Sequence, residues 1–264
     1  MSRSNPHENG TPNPATRWFE WNGERGVVRY YDKEAKQHVE VGSDFTFILL
    51  DELATVKGWH EASLSGIYAN EIRDTRQDVF IVKAFKGGVL AEGFYKDIKD
   101  RITSKAVGAQ FVTNCYIAFK LEGALAIGSM QFKGAALGAW MEFRKAHRAE
   151  LITKAVRIHG YTEGKKGRIV FRVPVLSIAD LSAESNAVAV ALDMELQTYL
   201  KGYLSRTKRD QVAAPTAPVV DAVDEYEPPP PGDDDFIDVS DDAIPFAWLL
   251  PFVLPALATI GMLA

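Results

Sequence analysis

The stretch AQFVTNCYIAFK, residues 109–120, alternates as a strand must. Phe111, Cys115, Ile117 and Phe119 fall on one side and Asn114, Tyr116 and Lys120 on the other, because successive side chains of an extended chain point oppositely. Glu122-Gly123 reads as a turn, and residues 124–128 as the return strand. From Phe132 to Leu151 the period changes. Leu137, Trp140, Met141, Arg144 and His147 recur at three and four, which predicts an amphipathic helix.

Upstream, Arg17 to Tyr31 holds two aromatic and β-branched runs around Asn22-Gly23, a hairpin signal. A second turn at 32–37 leads into Val39 and Val41. FTFILL, residues 45–50, predicts a buried strand, while 51–66 has no decisive period. QDVFIVKAFK, residues 77–86, predicts another strand, with Val79, Ile81, Lys83 and Phe85 on one face and Phe80, Val82, Ala84 and Lys86 on the other; Gly87-Gly88 ends it. Phe94, Ile98 and Ile102 predict a short helix over 92–102. Residues 157–161 and 168–175 read as a hairpin around 163–167, and 183–204 as a final helix. No internal repeat is visible. Several strands with a helix before the last hairpin predict a β-rich α+β fold, with an OB-like Greek-key barrel carrying added helices as the favoured architecture.

Proline marks the boundaries. Between Ala15 and Ala214 only Pro174 occurs. That predicts one compact unit over 16–206, a disordered arm over 1–15, a Pro-rich acidic linker and disordered tail over 207–242, and an apolar segment over 243–264. The net charge of -5 hides an asymmetry. From residue 211 onward there are 10 acidic residues and no Lys or Arg, leaving 25 acids against 30 bases before it. A basic body with an acidic tail suits a polyanion partner. The single Cys115 excludes an internal disulfide and a Cys-rich metal site. The N-terminus has no apolar h-region, so a cytoplasmic location is expected.

The tail carries the most specific signal. DDDFIDVSDDAIPF, residues 233–246, is a carboxylate run closed by Ile244-Pro245-Phe246. It resembles the acidic C-terminal tip of single-stranded DNA-binding proteins. That resemblance implies a non-enzymatic strand binder of replication, recombination or repair, with an OB-type domain on the DNA. Partner proteins would be recruited through Asp238, Asp241, Asp242, Ile244, Pro245 and Phe246. Family tips stop at the Phe, whereas here residues 247–264 follow. A family-like tip on an unfamiliar body points to a bacteriophage source.

A strand binder needs flat rings for bases and cations for phosphates. Candidates are Trp18 and Trp21; Arg29 and Tyr31; Tyr116 and Lys120; and Lys165, Lys166, Arg168 and Arg172 on the last hairpin. Catalytic signals are weak. The five histidines show no metal-ligand spacing, and no GxxxxGK[ST] loop occurs, so no cofactor and no metal are expected. Glu71, Asp74 and Asp78 are the one acidic cluster that would suit a magnesium-dependent nuclease. Residues 243–264 carry no charge and are long enough to be scored as a membrane span, though Pro245, Pro251 and Pro255 interrupt them. The alternative function is therefore a structural or interaction protein anchored to a membrane or assembly by that segment.

Overall fold

The computed structural model describes residues 12–212. The fold is α+β and β-rich, built on one 11-stranded sheet. Its path runs β3 (Gln37–Gly42), β2 (Val27–Asp32), β1 (Trp18–Asn22), β9 (Ala124–Lys133), β8 (Ala109–Leu121), β4 (Asp44–His60), β5 (Ser65–Ala69), β6 (Phe80–Ala84), β7 (Gly88–Gly93). A hairpin of β10 (Ala155–Lys166) and β11 (Ile169–Ala179) branches from β4. The helices are α1 (Tyr95–Ile102), α2 (Gly134–Ala146) and α3 (Ala183–Val212).

The sheet does not close on itself, and the expected OB-like Greek-key barrel is not shown. β11 reaches the β1–β2 turn at a single place. There the Arg172 backbone N–H donates to Gly23 O at 2.6 Å and Trp21 Nε1 donates to Arg172 O at 2.8 Å. Pro174, two residues on, cannot donate a further ladder bond in that direction. Its nitrogen has the same outward phase as Arg172, and it has no proton to donate.

β4 is the hinge of the architecture. Its register with β8 slips between Leu49 and Asp51. Before the bulge Phe45, Phe47 and Leu49 face the main core. After it Leu53 has changed sides, and Glu52, Ala54 and Val56 take the inner face. One extra residue thus reverses the parity, which is why 51–66 showed no simple alternation. The strand expected over 45–50 runs on to His60.

Three layers follow. The inner face packs α2 against Phe19, Phe47, Ile117 and Phe132, with Trp140 stacked on Phe132 at 4.9 Å. Further along the same face α1 inserts Ile98 and Ile102 among Val56, Ile67, Phe80 and Val82. The other face receives α3 through Leu196, Tyr199 and Leu200, which cover Leu53, Tyr116 and Ile127. The arm expected over 1–15 includes residues that the structure places in the core. Ala15 is buried in that last cluster, and Thr16 bonds Ile127 O through both its N–H and its hydroxyl, at 2.8 and 2.9 Å. At the other end α3 continues past 206 to Val212. The tail calls Asp238, Asp241, Asp242, Ile244, Pro245 and Phe246, and the segment 243–264, lie outside the described residues.

Two further expectations shift. Phe132 belongs to β9 rather than to the helix, because it pairs with Thr113 before the chain turns at Gly134 (φ 53°). The last hairpin turns at Gly167-Arg168, since Lys166 pairs with Ile169, so Lys165 and Lys166 lie in the strand and not in a loop.

Candidate nucleic-acid interface

α3 covers only part of the outer face, and the register carries that face outward beyond it. Tyr31 pairs with His38, Arg29 with Glu20, and Glu20 with Gln131. Lys133 pairs with Val112, and Gln110 with Lys57. Lys57 in turn pairs with Tyr68, and Tyr68 with Lys83. Partners in register share a face. One strip therefore holds Trp18, Tyr31, Arg29, Glu20, Lys133, Lys57, Tyr68, Lys83 and, two residues on, Phe85. Seven strands at about 4.8 Å make it roughly 30 Å long.

Aromatic groups stand towards its two ends, and most of the charged groups lie between them. Trp18 is 38% exposed, and the Lys33 ammonium stands 5.5 Å from its ring centre. Tyr31 meets the His38 ring edge-on. Tyr68 and Phe85 lie 4.7 Å apart at the far end. Between them the charges are coupled. Arg29 bonds Glu20 at 2.8 Å, and Lys133 lies 3.4 Å from the same carboxylate. Burial works to raise the Glu20 carboxyl, but Lys133 and Arg29 overcome it and hold the pKa down at about 2. Burial pushes the Lys57 ammonium down from its ordinary value, against the pull of Glu71 and Glu20.

Where the strip passes under α3 it becomes a closed polar network. Tyr116 donates to Glu71 Oε2 at 2.7 Å, Asn114 Nδ2 donates to Glu71 Oε1, and Ser129 donates to Asn114 Oδ1. The Glu71 N–H donates to the Tyr203 hydroxyl at 2.9 Å. Burial raises the Glu71 carboxyl despite the two donors. Arg73 grips Asp51 with two bonds, at 2.9 and 2.6 Å, and Gln197 donates to Asp51 at 2.9 Å, tying the 70–79 loop and α3 to β4.

The residues expected to bind DNA therefore separate. Trp18, Arg29 and Tyr31 come together on the strip, with Arg29 largely committed to Glu20. Trp21 and Tyr116 are corrections: at 3% and 0% exposure they belong to the core and present no ring to a base. Trp21 faces α2's side of the sheet, and Tyr116 lies under α3. Lys120 is exposed at the far end of β8, away from the strip. Lys165, Lys166 and Arg168 are exposed near the tip of the β10–β11 hairpin, a second basic site. Arg172 is a clamp instead. Its guanidinium bonds Glu24 O, lies over Tyr161 and sits 3.3 Å from Glu163. Lys57, Tyr68 and Lys133 were missed, because the bulge hid the phase of β4 and β5 and the return strand runs past 128. Lys83 and Phe85 were already on one face by alternation.

The acidic cluster does not converge. Glu71 serves the buried network, while Asp74 caps the Arg76 N–H at 2.8 Å and Asp78 accepts the Asp74 N–H at 3.2 Å. Among the described residues no group of His, Cys, Asp and Glu has metal-holding geometry, and no helix is long and apolar enough to cross a membrane. Cys115 is buried, and burial first, then the nearby Glu52, pushes its thiol well above the usual range. No protein-family model matches the chain, and neither a curated protein nor a solved structure matches it.

Proposed function

We propose that this protein binds single-stranded nucleic acid, without sequence preference, along the strip that α3 leaves uncovered. The observation that carries this is one sheet face that sets Trp18 and Tyr31 at one end, Tyr68 and Phe85 at the other, and Lys133 and Lys57 between, with Lys83 beside Tyr68. Rings on which any base can stack, together with cations that neutralise phosphates, are what sequence-tolerant strand binding requires. Glu20 and Glu71 moderate the charge of the strip, so stacking supplies much of the affinity. The five strands β1, β9, β8, β4 and β10, which surround the main core, are the OB-like part of the proposal. They serve as a platform whether or not the ring closes.

The role is binding rather than catalysis, in the cytoplasm, during replication, recombination or repair, and a bacteriophage source fits it. Residues 233–246 recruit a partner protein in this proposal, on the strength of their sequence alone. The test is a fluorescence titration of the full chain with poly-dT and with duplex, at two salt concentrations. The native chain binds poly-dT in preference to duplex, and its affinity falls with salt. Trp18→Ala with Tyr68→Ala weakens binding without altering the salt slope, while Lys83→Gln with Lys133→Gln flattens the slope. Absence of strand binding at low salt, or binding indifferent to all four changes, would overturn the proposal.

A further inference from the structure

α3 buries Ala189, Leu192, Leu196, Tyr199 and Leu200 against the sheet. The opposite side of the same helix is also apolar. Val188, Val190 and Met194 are 41%, 54% and 68% exposed. Ala187, Val190, Ala191, Met194 and Thr198 recur at three and four, one continuous stripe facing water. Charges flank it unevenly. Exposed Glu184 lies just before it, exposed Lys201 just after it, and exposed Glu195 beside Met194.

We infer that this stripe is the interface with a second copy of the chain, the two α3 helices running antiparallel about Met194. A two-fold axis there sets Met194 against its own copy and Val190 beside Thr198 of the other helix. It also brings Lys201 of each copy within a turn of Glu184 of the other, twice by symmetry. The antiparallel pair leaves Glu195 as the one exposed carboxylate beside its own copy, whereas a parallel pair would set Glu184 against Glu184, Glu195 against Glu195 and Lys201 against Lys201. Ala187 and Ala191 are small enough for the helices to approach at the 8–10 Å usual for packed helices. The rival occupant is the chain's own apolar segment 243–264. It has no charge with which to answer Glu184 or Lys201, so the charged ends of the stripe favour the second copy.

Sedimentation equilibrium of the full chain over roughly 1–100 μM tests this. The expected species has twice the 29.2 kDa chain mass. Val190→Glu with Met194→Glu should raise the dissociation constant at least tenfold with the circular-dichroism spectrum unchanged. A bismaleimide reagent should join two chains of Met194→Cys and leave the native chain, whose Cys115 is buried, unjoined. That reaction decides the matter should the double Glu variant fail to fold. A native chain that stays at 29.2 kDa throughout overturns the inference. So does association that survives the double Glu substitution, and if that association disappears on ending the chain at Asp242, segment 243–264 is what makes it. Neither result bears on strand binding, which is read separately by the poly-dT titration.

Discussion

The two faces of β8 are both buried, by opposite chemistry. On the inner face Cys115, Ile117 and Phe119 meet α2 through dispersion and area, with Trp140 as the largest element. On the outer face Asn114 and Tyr116 are equally hidden, yet they are held through hydrogen bonds to Glu71 and Ser129. Alternation of apolar and polar side chains reports which face is which. It does not report that the polar face is wet. An aromatic ring with a polar handle can be covered once its hydroxyl finds a partner.

The largest effect is expected on the inner face. Trp140→Ala should destabilise the fold by about 3–5 kcal/mol, as emptying a buried aromatic site does, read as a lowered urea midpoint. It also removes the indole N–H that bonds Glu52 at 3.0 Å. A loss under about 1 kcal/mol would mean that α2 repacks and that the inner face is less close-packed than it looks.

The outer face should respond less and for a different reason. Tyr116→Phe keeps the ring but takes one donor from the buried Glu71 carboxyl, at a cost of about 1–3 kcal/mol. If stability does not change, Glu71 is not held by Tyr116 in solution.

Charge sharpens the same contrast through pH. The Glu71 carboxyl is raised in the fold, so above its unfolded value the native state binds more protons than the unfolded chain. Its contribution to stability is therefore most favourable below pH 4.5, the ordinary carboxyl value, and declines as pH rises through the folded value. Glu71→Gln should flatten that decline, leaving the share due to Glu52, which burial also raises. Glu20, held down to about 2, acts in the opposite sense: its stabilisation is present above pH 4.5 and is lost as pH falls through about 2. Denaturation curves from pH 3 to 8 distinguish these, and an unchanged slope in Glu71→Gln would place that carboxyl in water.

The smallest stability change belongs to the strip. Trp18→Ala should alter stability by no more than about 0.5 kcal/mol, since a partly exposed ring loses little on truncation. Its effect should appear in strand affinity instead, about 1–3 kcal/mol where the ring stacks on a base. Trp18 and Trp140 thus test one residue type in two roles. A Trp18→Ala variant that unfolds would make the strip part of the core.

How much of this was legible before the fold was known differs by element. Phe80, Val82 and Ala84 alternate without interruption, and they are buried as alternation predicts. The β10–β11 hairpin was legible but its turn was not, because Glu163-Gly164-Lys165-Lys166 has loop composition although the ladder runs through it to Gly167. The strip was half legible. Trp18, Tyr31, Lys83 and Phe85 could be set on faces strand by strand, whereas Lys57 and Tyr68 follow a bulge that reverses the count.

The sequence by itself determined the β-rich α+β class, the strands with unbroken period two, the single cysteine's place on an apolar strand face and the acidic run of 233–242, because each depends on residues close together in the chain. Tertiary structure alone decided that Tyr116 is covered and Trp18 is not, and that the sheet does not close on itself. It also decided that cations from β9, β4 and β6 meet rings from β1, β2 and β5 on one face. Those outcomes depend on where α3 lands and on register across strands distant in sequence, and a bulge of one residue is enough to change them.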